Sequence, residues 1–394
     1  VNDAQVVRLR AEKLVAGGDA LARLEDGRVA FVEGAIPGEL VDARVLQSKT
    51  SFVRAEADSI IEPSSARVVP DCVHRKEGCG GCAWMHIDSQ AQHDFKIDVV
   101  VDALLRIAKL SEPSVIKGQA LPALGSRRVM RFIADDSGRL GLRASRSNEV
   151  VAIKNCAVAV DSINALFAHD GWTPGEEVTV HADKEGEGLA IATDSRVPES
   201  VRSIARVGDR AFTKESIRGV ELRVDAQSFY QGCRDADLAL VDAVERAAER
   251  EYLDGGHGPV IDVYGGVGLF AASLVSPEVP CIVVELAPAA VDDARINLMG
   301  RNAQVVESAV EDWMPEPAGL VIADPSRKGL GVEAIEVLVG TGADRIVLVS
   351  CDAAAGARDI SLLTKRGYEL VYSEVLDTFP NTSHVEVVSR LDRA

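Results

Sequence analysis

Four apolar runs in the last third of the chain limit what it can fold into. Val260-Ile-Asp-Val263, Cys281-Ile-Val-Val284, Leu320-Val-Ile-Ala323 and Arg345-Ile-Val-Leu-Val-Ser350 alternate with amphipathic segments. Runs that are apolar on both faces have no solvent side, so they belong inside a parallel sheet covered by crossover helices. From Leu238 onward the pattern predicts a doubly wound α/β domain. Each run also ends in residues that carry chemistry. A Gly-rich loop follows the first, Glu285 ends the second, Asp324-Pro325 follows the third and Cys351-Asp352 the fourth. Ligands of open α/β sheets bind beyond the carboxyl ends of the strands, so one shared edge is expected to hold all four groups.

The upstream half reads differently. Between residues 5 and 60, short alternating stretches are broken by Gly17-Gly18, Asp26-Gly27 and Ile36-Pro-Gly38. That spacing predicts a small all-β barrel, either a structural module or an OB-type nucleic-acid barrel. Pro63-Ser-Ser65 marks a linker, a cysteine-rich loop occupies 72–82, and helical periodicity runs over 89–110 behind an N-cap at Asp88 or Ser89. Residues 120–225 are β-rich again. Three parts follow: a barrel over 1–62, a central β-rich unit over 63–225, and an α/β unit over 226–394. The 89–110 helix is able to pack on the last of these.

The net charge of −18 over 394 residues makes the chain a poor non-specific binder of nucleic acid. Against that background, the stretch from Arg127 to Lys154 holds seven basic and three acidic residues. Arg127, Arg128 and Arg131 are therefore candidate phosphate contacts. No run approaches the ~20 apolar residues needed to span a bilayer, and the charged start of the chain has no secretory character. A cytoplasmic protein that does not enter membranes is expected, and a monomer. Seven cysteines, three of them bunched at Cys72, Cys79 and Cys82, argue for a metal or cluster site in a reducing compartment rather than disulfides.

The motifs at the strand ends narrow the chemistry. Asp262-Val-Tyr264-Gly-Gly266-Val-Gly268 is a strand running into a loop that opens a helix, where free N–H groups can face a ligand. It also fits a dinucleotide fingerprint, and an acid such as Glu285 suits the ribose of either a nicotinamide cofactor or S-adenosylmethionine (SAM). Asp324-Pro325 suits an enzyme that orients a flat base beside SAM. Cys351 ends its strand at the ligand edge, where a thiolate can attack carbon. Glu386 sits inside the apolar run His384-Val-Glu-Val-Val, a costly place for a carboxylate unless it moves protons.

Together these motifs resemble the RNA uracil-C5 (5-methyluridine) methyltransferase family, over nearly the whole chain. Ser228-Phe-Tyr-Gln231 resembles the family's S-F-F-Q motif. The glycine loop, Glu285 and the D-P-x-R at 324–327 resemble its SAM-binding positions, Ser350-Cys351-Asp352 its S-C-N-P nucleophile motif, and His384-Val-Glu386 its H-V-E. Residues 1–62 resemble the TRAM domain, an OB-fold RNA-binding module. The resemblance implies a class I SAM-methyltransferase Rossmann-like domain, a TRAM barrel and a central cluster-bearing domain. Cys351 would be the nucleophile and Glu386 the base. Gln231, Tyr264, Gly266, Gly268, Glu285 and Asp324 would bind SAM, and Phe229 would meet the RNA with Arg127, Arg128 and Arg131. Cys72, Cys79, Cys82 and the distant Cys156 resemble the family's [4Fe–4S] ligands, though four thiolates also suit zinc. The implied substrate is 23S ribosomal RNA, with tRNA the alternative. A nicotinamide oxidoreductase would leave Cys351 and Glu386 without work, and so would a silent RNA-binding protein. The chain departs from the family at Gly265 (often Cys), at Leu269 (Asn in some members) and at Asp352-Ala353 (usually Asn-Pro). The spacing from Cys72 to Cys79 is one residue longer than the commonest form.

Overall fold

The computed structural model describes residues 5–186, 188–193, 196–208 and 211–394, so the first four residues of the charged N-terminal stretch lie outside it. Strands Val6–Leu14, Ala20–Arg23, Val29–Glu33, Leu40–Ser48 and Phe52–Glu62 close into a barrel. Alternation does the work: Leu9, Ala11 and Leu14 point inward with Ala20, Ala22, Ala30, Val32, Val41 and Ala43, while charged neighbours face out. The many alanines leave little room for large side chains, so the barrel interior is narrow and filled.

A six-stranded sheet forms the centre, running from Arg206–Val207 through Leu189–Ala192, Glu177–Ala182, Val129–Ala134 and Leu140–Arg143 to Val150–Ala152. A hairpin, Phe212–Ile217 with Val220–Asp225, follows it and packs on the helix Pro288–Asn297.

The C-terminal sheet has eight strands. The four apolar runs lie side by side and parallel, with the strand Ala303–Glu307 outside Cys281–Glu285. On the other flank the expected all-parallel order stops. Glu386–Arg393 inserts antiparallel between Arg345–Ser350 and Tyr368–Asp377. Val115–Ala120, inside the stretch assigned to the central unit, completes the sheet as a parallel edge strand.

The helix begins at Ser89 under an Asp88 cap, whose carboxylate accepts from the Gln90 and Ala91 N–H groups. It is α-helical to Ala103, continues as a π-helix over Leu104–Ala108, and ends at Lys109 in a left-handed conformation. It packs against the helix Ala353–Thr364 and the strand Tyr368–Asp377. The sequence pattern reads its buried face as apolar, yet Gln92, His93 and Lys96 are also buried. Each has a partner on the C-terminal sheet or its loops, so the polar groups are satisfied by tertiary contacts that local periodicity does not register. Among the described residues, no helix is long and apolar enough to cross a membrane.

Candidate active site

Strand register brings Cys351 and Glu386 together. Ser350 pairs with Val387 at the end of the antiparallel ladder. The next residue on one strand is Cys351 and the preceding residue on the other is Glu386, so both occupy the carboxyl edge of the parallel sheet. Glu386 is buried, and its Oε1 has no hydrogen-bond partner among the described residues. Burial and the charge of Asp324 hold its carboxyl well above the ordinary range. Burial, Glu386 and Asp324 push the Cys351 thiol up to about 12, and Arg327 opposes them. Burial pushes Asp324 to about 7. His384 is pushed down to about 4 by burial and by Arg327, Lys96 and Arg127, which keeps it neutral at pH 7. The site thus holds a thiol, a neutral imidazole and two carboxyls that resist ionising together, with Arg327 the cation acting on Cys351, Glu386 and His384 alike.

The departures at 352 and 353 do not weaken this loop. Asp352 caps the helix Ala353–Thr364, accepting from the Ala355 N–H at 2.8 Å. An acid fits that helix N-terminus at least as well as an amide.

The ends of the first and second apolar strands form a glycine-loop cradle. Tyr264, Gly266 and Gly268 all have positive φ, and Gly268 starts the helix Leu269–Ser273. Glu285 accepts from the Gly266 N–H at 2.9 Å and from the Leu286 and Ala287 N–H groups at 2.7 Å, which fixes its carboxylate beside the loop. Gly265 stands where a Cβ would come within 2.5 Å of Val283 Cγ1, so the cysteine common at that position has no room here. Beneath the loop, Asp262 accepts from the Ala271 N–H at 3.2 Å. Its Oδ1 is buried without a partner, and burial pushes it to about 7. The reasoning that singles out Glu386, a carboxylate inside an apolar strand, applies equally to Asp262, and the sequence reading assigned it no role. The anchored Glu285 carboxylate beside the glycine loop suits the polar end of a nucleoside-containing ligand.

Ser228-Phe-Tyr-Gln231 is braced from behind. Ser228 Oγ donates to Asp293 at 2.8 Å, and Tyr230 Oη to Asp237 at 3.1 Å. Gln231 is buried, whereas Phe229 is 75% exposed and free to meet a flat partner. Arg128 corrects the sequence reading. It is 1% exposed and bonds Glu215 at 2.5 Å and Asp237 at 2.7 Å, so it holds this motif in place and does not face RNA. The basic stretch is also more neutral than its composition implies. Arg139 pairs with Asp135, Arg143 with Glu177, and Arg146 with Asp19 and Glu33. Arg131 keeps a 70% exposed side chain and only a loose 3.8 Å contact to Glu177.

Arg127 lies elsewhere. It lines a cavity of about 250 Å³ whose wall includes Cys72, Cys79, Cys82 and Cys156, together with Cys233, Pro380 and Thr382. Burial and the neighbouring thiols at 156, 79 and 72 push Cys82 up to about 12, and Arg127 opposes them. All seven cysteines are free thiols. Among the described residues, no three His, Cys, Asp or Glu side chains close on a single point as one metal ion requires. Cys72, Cys79, Cys82 and Cys156 share the wall of this one cavity. Cys233 and the loop residues had no signal in the sequence, because they reach this wall only through tertiary packing.

Comparison with known proteins agrees with the architecture. The TRAM domain family matches residues 3–57. An RNA methyltransferase of Streptomyces avermitilis is 32% identical over 96% of this chain and 96% of its own. One of Corynebacterium diphtheriae is 30% identical, covering 96% of this chain and 94% of its own. Among solved structures, the Pyrococcus abyssi tRNA (uracil-54, C5)-methyltransferase in complex with S-adenosyl-L-homocysteine superimposes with a TM-score of 0.74. It is 22% identical, and the match covers 98% of this chain and 100% of that one.

Proposed function

Because the chain belongs to the RNA methyltransferase family and carries an N-terminal TRAM domain, we propose that it methylates C5 of a uridine in RNA through a covalent adduct on Cys351. The observation that carries this reading is the antiparallel register that sets Cys351 and Glu386 at one strand-pair end, beside Asp324 and the glycine loop. Uracil C5 is too weak a nucleophile to take a methyl group unaided. Cys351 Sγ, as thiolate, bonds to C6 and moves electron density to C5, which becomes the attacking carbon. Gln231, Tyr264, Gly266, Gly268, Glu285 and Asp324 would hold SAM, which when bound would supply an electrophilic methyl group and leave as S-adenosylhomocysteine. Glu386 takes the C5 proton, and the C6–S bond breaks to return Cys351 and the aromatic base.

The target base must leave its stack to reach a buried carboxylate, and exposed Phe229 offers it a flat contact. Arg131 and the barrel face supply RNA contacts outside the acidic α/β domain. The four thiols at 72, 79, 82 and 156 would hold a [4Fe–4S] cluster, which organises the segment between barrel and catalytic sheet. We place the enzyme in the cytoplasm as a monomer, acting on ribosomal RNA of the 23S class. Turnover with unmodified RNA, and mapping of 5-methyluridine in RNA from a deletion strain, test this. Loss of one rRNA site supports it, loss of a tRNA site redirects the substrate, and no loss at all overturns it.

A further inference from the structure

Glu386 is the first residue of its strand, so its position depends on the irregular 378–385 loop before it. The helix, the cysteine cavity and the barrel meet that loop, and Trp84 ties the barrel turn to the cysteine segment. Lys96, wholly buried in the helix, donates to Asp377 at 2.5 Å and to the Phe379 carbonyl at 2.9 Å. Pro380 and Thr382 form part of the cysteine cavity wall. Ser383 meets the first turn of the barrel so closely that a Cβ on Gly18 would stand 2.6 Å from its own Cβ. Trp84, two residues past Cys82, donates its indole N–H to the Gly18 carbonyl at 3.1 Å.

Asn381 is where these grips meet. It is 4% exposed and has a φ of +64°, which Asn adopts more readily than other residues that carry a Cβ. Its N–H donates to Gln92 Oε1 at 2.7 Å, and its Oδ1 accepts from Gln92 Nε2 at 3.2 Å. Its Nδ2 donates to the Ala123 carbonyl at 2.7 Å, and its own carbonyl accepts from the Trp84 N–H at 2.9 Å. Every polar group of the residue is used, on three separate stretches of chain, yet none of them belongs to the carboxyl edge.

We propose that Asn381, with Gln92 as its partner, is a positioning residue for Glu386, fixing the 378–385 loop so that the helix behind it sets the place of the proton acceptor. This rests on the reading of Glu386 as the base. A group in the loop before Glu386 then controls the proton step and leaves attack on C6 alone. A misplacement of about 1 Å at a reacting group costs on the order of a hundredfold in rate.

Three variants test this: Asn381→Gly, which keeps the left-handed backbone, Gln92→Met, and the pair. Each is assayed for SAM affinity by calorimetry, for the covalent adduct with 5-fluorouridine RNA, and for kcat and KM on ordinary uridine RNA. SAM affinity, KM and the fluorouridine adduct should stay near wild type. On ordinary RNA, kcat should fall by about tenfold to a hundredfold, with a SAM-dependent methylated adduct accumulating. Both variants remove the Nε2–Oδ1 contact, so the pair should lose less than the product of the two single losses. Wild-type kcat in Asn381→Gly would overturn the proposal, as would adduct formation and turnover falling together, or losses that multiply in the pair. Should Asn381→Gly fail to fold, Gln92→Met carries the test alone, with the same outcomes. No adduct in the wild-type protein would overturn the covalent reading and this inference with it, a result distinct from a variant that behaves as wild type.

Discussion

The carboxyl edge of the sheet and the cysteine cavity both bury ionisable groups that raise one another's pKa, but they are built in opposite ways. At the edge, regular strands place the groups: Cys351 and Glu386 follow from a ladder register, and Asp324 and Glu285 from parallel neighbours. Around the cavity, loops place them, with the thiols at 72, 79 and 82 on one segment and Cys156 on another. Sheet register leaves the edge groups close enough for Glu386 and Asp324 to hold Cys351 as a thiol. Loop placement leaves the cavity thiols around a space. The difference teaches that ladder register fixes the edge groups, whereas the cavity thiols are placed by loops from separate parts of the chain.

The sharpest break in this comparison comes from the two kinds of cysteine. Cys351→Ala should abolish methyl transfer and leave SAM affinity and thermal stability near wild type. Cys82→Ser should instead lower stability or RNA affinity before it touches SAM binding, as measured by thermal melts and RNA binding. Equal effects of the two on stability would erase the distinction. Next in size, Glu386→Gln should slow turnover by about 10²- to 10⁴-fold and stall as a methylated covalent adduct, visible on a denaturing gel with labelled RNA and SAM.

A third test concerns the bracing behind the edge. Arg128→Met leaves Glu215 and Asp237 buried without their shared cation and should cost about 3–5 kcal/mol of stability, read by denaturant unfolding. Arg131→Gln should cost almost none, and should weaken RNA binding while flattening its salt dependence. The smallest effect is in pH. A Cys351 pKa raised to about 12 means that the thiolate fraction grows as pH rises. Adduct formation should therefore speed up about tenfold per pH unit between about pH 7 and about pH 9. Glu386→Gln removes a charge that raises the thiol, so its adduct-formation profile should move to lower pH.

Much of the edge was legible because strands announce themselves. The runs at 260, 281, 320 and 345 are apolar on both faces, and their ends had to share one edge. The antiparallel insertion of Glu386–Arg393 was not legible, since nothing in a strand's own residues names its neighbour. Arg128 shows the limit of counting charges: its sequence neighbours are basic, but its partners lie 87 and 109 residues away. Lys96 and Gln92 look like the solvent face of a helix until the loop that covers them is in place.

The central claim is that Cys351 becomes covalently attached to the target uracil and that Glu386 completes the cycle. Mass spectrometry of the wild-type protein after reaction with SAM and 5-fluorouridine RNA tests this most directly, because the C5 fluorine cannot leave as a proton. The account predicts a denaturation-resistant adduct that carries the transferred methyl group and maps to the peptide containing Cys351. An adduct on another residue, or methylation with no adduct, would contradict it.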